Sequence, residues 1–237
     1  MILWLNNKKG SHVGIIISFS LFVAFLIFLY TATQPVLESK EEQKNLMQGL
    51  KNKITDRVSE NFTTMTIINS SFNEDCIKIE NYPYSDMDTI VKDSNGEKVP
   101  RDFSGDSLYI ENTASDGFYK IYSSESSLDN SEMDHTGTCY GFTSDFKRGI
   151  NRMEKKVSFQ RMEGFIEEYN TNYSLVKEQL DVPEENGFAL DFLHNNEPIL
   201  ETSKTNLTRS VFIEKKGVMY FDEDADMKGG FLRISVW

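Results

Sequence analysis

The chain has 237 residues, room for one or two domains with a buried core. It carries 25 Lys+Arg against 37 Asp+Glu, a net charge of −12, and so lacks the basic surface that holds nucleic-acid phosphates. Its 39% hydrophobic and 26% charged residues describe a water-soluble chain on average, and the average conceals one segment of opposite character.

That segment is Val13 to Thr33, VGIIISFSLFVAFLIFLYTAT, which contains no charged residue. About 20 such residues in a helix span the roughly 30 Å hydrocarbon core of a bilayer. Lys8 and Lys9 precede it and no Asp or Glu occurs in the first 35 residues. The positive-inside rule therefore puts the N-terminus in the cytoplasm and everything after Pro35 outside, with Tyr30 as an interfacial aromatic. A cleaved secretory signal expects an apolar core of about 7 to 15 residues followed by small residues. This run is longer, and Leu29-Tyr30-Thr31-Ala32 makes a poor cleavage site. Of three readings, a cleaved signal, an uncleaved signal anchor and a pilin-type leader, the first is the least favoured.

The tract Lys8-Lys9-Gly10-Ser11-His12-Val13-Gly14-Ile15-Ile16-Ile17 is a short basic leader ending in glycine, followed at once by an apolar helix. It resembles the class III signal peptide of archaeal type IV pilin-like proteins. The resemblance implies that a membrane leader peptidase cuts between Gly10 and Ser11. The apolar segment would then stay on the mature chain as anchor and assembly helix, with Phe19, Phe22, Phe25 and Phe28 packing against copies of itself. Two departures stand out: His12 replaces the proline common after the first mature serine, and Ile15 replaces the glutamate that many bacterial pilins carry as fifth mature residue.

Pro35 lacks the N–H that would continue a helix and disfavours helix at Gln34, so a kink or break is expected at the membrane surface. After it Leu37, Leu46, Met47, Leu50, Ile54 and Val58 recur at helical spacing, predicting an amphipathic stalk helix over residues 35–60. Gly49 weakens that helix by about 1 kcal/mol relative to Ala. Strands are expected at Thr63–Ile68, Cys76–Ile79 and Thr89–Lys92, and at Ser107–Glu111 and Phe118–Tyr122. Asn95-Gly96 and Asp116-Gly117 serve as turns, and the series reads as an antiparallel meander. Ser123 to Thr138 is polar and acidic and is expected to be a surface loop.

Met162, Phe165, Ile166, Tyr169, Leu175, Val176 and Leu180 predict helix over residues 160–180, interrupted by Asn170-Thr171-Asn172. Phe188–Phe192, Arg209–Glu214, Gly217–Phe221 and Gly230–Trp237 read as strands, the last tying down the chain end. The passage from Leu175 to Glu184 and the terminal strand are also similar to those of archaeal pilin-like chains. The expected architecture is α+β: a leader (1–10), a transmembrane helix (11–34), the stalk helix (35–60) and a mainly antiparallel, β-rich extracellular head (61–237).

Cys76 and Cys139 fall in the exterior part, where oxidation is permitted. A bridge would close a loop of about 60 residues and stabilise the head by roughly 3 to 4.5 kcal/mol. Two separate buried thiols are the other reading. Asn61, Asn69, Asn172 and Asn206 each begin an Asn-X-Ser/Thr triplet, candidate N-glycosylation acceptors.

Histidine occurs at His12, His135 and His194, none at metal-site or triad spacing, and no catalytic motif or phosphate-binding glycine loop appears. Asp222, Asp224 and Asp226 form a weak calcium candidate. Met227 stands where an EF-hand loop needs Gly and Arg233 where it needs Glu, so a solvated acidic hairpin turn is the default. No cofactor or metal is expected. The expectation is a non-enzymatic cell-surface structural protein, pilin-like, whose partners are the membrane, a leader peptidase and its own copies in a surface filament. The alternative is an uncleaved single-pass ectodomain that binds a surface partner or a glycan.

Overall fold

A computed structural model describes residues 10–69, 75–113, 117–129, 139–141, 146–203 and 211–237. The chain divides into two compact units, residues 1–48 and 49–237. The first consists, in its described part, of helix α1 (Gly10–Arg57), which also runs into the second unit. Within α1, His12–Gln34 is long and apolar enough to cross a membrane, and none of it is buried. At 1.5 Å per residue its 23 residues measure about 35 Å.

Of the kink or break expected at Pro35, a break does not occur: the helix is continuous from Gly10 to Arg57. A proline removes a single rung of the ladder while the rungs on either side remain. In the turns before it, the Thr31 hydroxyl donates to the carbonyls of Ile27 and Phe28, and that of Thr33 to those of Leu29 and Tyr30. Such back-bonding keeps both hydroxyls satisfied inside the helix.

The second unit begins with the last turns of α1, whose Leu50 and Ile54 are buried, followed by Val58. β1 (Ser59–Asn69) then enters a nine-stranded sheet. In chain order the remaining strands are β2 (Cys76–Ile79), β3 (Asp88–Asp93), β4 (Lys98–Val99), β5 (Arg101–Ser104), β6 (Ser107–Glu111) and β7 (Phe118–Ser124). There follow β8 (Cys139–Gly141), β9 (Phe146–Ser158), β10 (Phe188–His194), β11 (Glu197–Glu201), β12 (Phe212–Phe221) and β13 (Met227–Val236). The large sheet has the order β11-β10-β13-β12-β9-β1-β7-β3-β4, and a smaller one the order β5-β6-β2-β8.

This is α+β with a mostly antiparallel sheet, but it is not a meander. β1 lies between β7 and β9, while β2, β5 and β6 leave for the second sheet. Alternation marks a strand without naming its neighbour, and strands of four or five residues fit either layer. The small sheet covers one face of the large one through a common core. Ile77, Ile79, Leu108 and Ile110 meet Met65, Ile67, Val91, Tyr119 and Ile121 there, with Tyr82 and Val99. Ser123 and Ser124, expected in a surface loop, end β7 fully buried. The Tyr82 hydroxyl lies 2.7 Å from Ser123 Oγ, and burial pushes its pKa up to about 12.

α2 (Phe159–Thr171) and α3 (Tyr173–Gln179) supply the expected helical insertion, parted at Asn172. Ser158 caps α2 by accepting the Arg161 N–H. The buried face of α2 carries Met162, Phe165, Ile166 and Tyr169, with the Tyr169 ring edge-on to Phe188 at 5.2 Å. Arg57 stacks over Phe165 at 5.4 Å and pairs with Glu168, tying the end of α1 to α2.

β9 and β11 have no counterpart in the expectations. β9 touches β12 only at Tyr220↔Val157 and Phe221↔Ser158, in parallel. The rest of its outer edge pairs with no strand among the described residues. A bulge interrupts its ladder with β1, where the Ile150 N–H donates to Thr66 Oγ1. A Cβ on Gly149 would fall 2.0 Å from that oxygen, so this position needs glycine.

Candidate functional sites

Of the residues that the sequence singles out, Lys8 and Lys9 lie outside the described part, and Gly10 and Ser11 open α1. The apolar side chains that follow are exposed: Phe19 66%, Phe22 57%, Phe25 56% and Phe28 65%. An exposed apolar surface of this extent marks a contact region for lipid or for apolar protein.

Cys76 and Cys139 sit opposite one another on the parallel pair β2–β8, with Cα atoms 4.6 Å apart, and form a disulfide. The three-residue β8 is thereby fixed to the edge of the small sheet.

Asp222, Asp224 and Asp226 converge, with one oxygen of each within 4.8 Å of the others. They are not three free carboxylates. Lys228 pairs with Asp222, Lys98 with Asp224 at 2.5 Å, and Lys92 with Asp226 at 2.5 Å. Asp222 also accepts the N–H groups of Asp224 at 3.1 Å and Asp226 at 2.9 Å, closing the turn around Ala225. Burial alone would raise the Asp222 carboxyl pKa; Lys228 and these two N–H groups outweigh it and hold the carboxyl below its ordinary value. The turn is therefore a matched set of lysines and carboxylates in which the lysines supply the positive charge.

Beside this turn lies a recess of about 330 Å³ walled by Phe159, His194, Ile199 and Tyr220, with Glu223 and Lys228 at its polar side. The sequence gives no sign of it, because its walls come from four separate elements. His194 Nδ1 lies 3.1 Å from the Gly229 carbonyl and 3.2 Å from the Tyr220 hydroxyl. A carbonyl only accepts, so Nδ1 carries the proton. His12 is exposed on α1, and His135 lies outside the described residues.

Glu60 anchors a separate buried polar network. The Glu60 side chain is fully enclosed, accepting from Arg161 at 2.6 Å and from the Ser124 hydroxyl at 2.8 Å. Arg161 also bonds Glu125, which takes a bond from Asn61 in turn.

Compared with protein-family models, curated proteins and solved structures, the chain matches none of them.

Proposed function

We propose that the chain is a non-enzymatic cell-surface structural protein of the archaeal type IV pilin-like kind. The first helix acts as its anchor and assembly element, and the β-rich unit is displayed outside. The observation that carries this reading is the uncovered apolar stretch His12–Gln34 immediately after Lys8-Lys9-Gly10. An apolar helix in lipid gains little from the hydrophobic effect on meeting another, so assembly rests on close packing, for which Gly14 and Ser18 offer small side chains. The disulfide agrees with an oxidising exterior.

The test is the N-terminal residue of the mature protein, read by mass spectrometry on membranes of the native host. A chain beginning at Ser11 is expected. A chain retaining Met1 to Gly10 overturns leader processing and leaves a plain signal anchor. In that second reading the unit outside the membrane binds a partner or glycan, and the recess beside His194 is where such a ligand would sit. Full-length protein that stays monomeric in mild detergent selects it.

A further inference from the structure

Two of the four Asn-X-Ser/Thr triplets, those at Asn61 and Asn172, lie wholly within the described residues; both asparagines are exposed, but they differ in backbone setting, in the burial of the hydroxyl two residues on and in the use of the side-chain amide. Asn61 belongs to β1, paired on one side with β7 and on the other with β9. Its side-chain amide donates to Glu125 Oε1 at 3.3 Å, and the hydroxyl two residues on, that of Thr63, is buried with that residue 1% exposed. Neither the strand nor the hydroxyl can be lifted out without opening the sheet.

Asn172 stands in the single-residue link between α2 and α3, and both it and Ser174 are exposed. Its backbone N–H donates to the Glu168 carbonyl at 2.8 Å and its carbonyl accepts from Val176 at 3.2 Å. Its Oδ1 accepts the Leu175 N–H at 3.4 Å. Each of these bonds uses the backbone or Oδ1. Nδ2 has no partner among the described residues, and an N-glycosidic bond forms at Nδ2, so a glycan there would leave the cap of α3 intact.

We propose that Asn172 receives an N-linked glycan and that Asn61 does not, on the reading that this unit faces outward. The co-substrate is an oligosaccharide carried on a lipid phosphate or diphosphate. Nδ2 bonds to the anomeric carbon, the bond from that carbon to the phosphate oxygen breaks, the lipid phosphate leaves with the electron pair, and the amide loses one proton.

The experiment is glycopeptide mass spectrometry on the full chain from native membranes. It is paired with protease digestion of intact cells to read the side of the membrane independently. A glycan mass on most copies of the Asn172 peptide and none on the Asn61 peptide is expected. Ser174→Ala should abolish it and Ser174→Thr retain it, both leaving the Asn172 cap in place. An unmodified Asn172 on a digestible chain overturns the glycan alone; an unmodified, protected chain overturns the outward placement as well. A glycan on Asn61 overturns the selectivity, since it requires transfer before β1 is paired.

Discussion

Arg161 joins a buried carboxylate to an exposed one. It sits at the start of α2, reaches the enclosed carboxylate of Glu60, and holds Glu125 on its outer side. Removing one partner of a buried pair strands the other charge, at a cost of about 3–5 kcal/mol, whereas an exposed pair is worth under about 1. Arg161→Ala in the full chain should therefore lower unfolding stability by about 3 kcal/mol or more, seen as an earlier denaturant midpoint. Lys155→Ala, which loses only the exposed pair with Asp56, should change it by less than about 1 kcal/mol. Asp222 sets an acid limit of its own. Its carboxyl is held below the ordinary value of about 4. A depressed folded pKa contributes stability that is complete above the unfolded value and drains away as pH falls through the folded one. Melting temperature followed from pH 6 down to pH 2 should fall less steeply in Asp222→Asn than in the parent.

Among the elements, the small β8 depends most on a covalent tie. Three residues of strand at a sheet edge bury too little to hold themselves, and Cys139 binds them to Cys76 across 63 residues of chain. The Cys76→Ser/Cys139→Ser double variant should lose roughly 2–5 kcal/mol, and reductant should produce the same shift in the parent and none in the variant. Which elements can be read from the sequence follows from how they are buried. Met162, Phe165, Ile166 and Tyr169 return every turn because one face of α2 is covered, and Leu108 and Ile110 alternate with half-exposed neighbours for the corresponding reason in a strand. β9 lacks any such rhythm, since Gly149 through Met153 are exposed on both faces. β11 is masked by Pro198, a residue tolerated there because the strand lies at the edge.

For the molecule as a whole, the apolar helix was plain because length and lack of charge are local properties, whereas the order of strands was not. That β1 should lie between β7 and β9 is decided by which faces complement each other across the core, and no stretch of sequence holds that information. The candidate sites divide the same way. The triplet at Asn172 is visible as letters, but its exposure and its spare amide nitrogen exist only once α2 and α3 are formed. The recess at His194 and the lysines that answer the aspartates come from residues far apart in the chain. An open strand edge is a template on which a neighbouring chain can add a strand, and the danger rises with local density. β9 carries Arg152, Lys155 and Lys156, which pair with Glu154, Asp56 and Glu154 respectively, and a bulge that spoils its register. On the proposed reading, in which helices gather copies side by side, that bulge denies a neighbouring chain a regular strand on which to add its own.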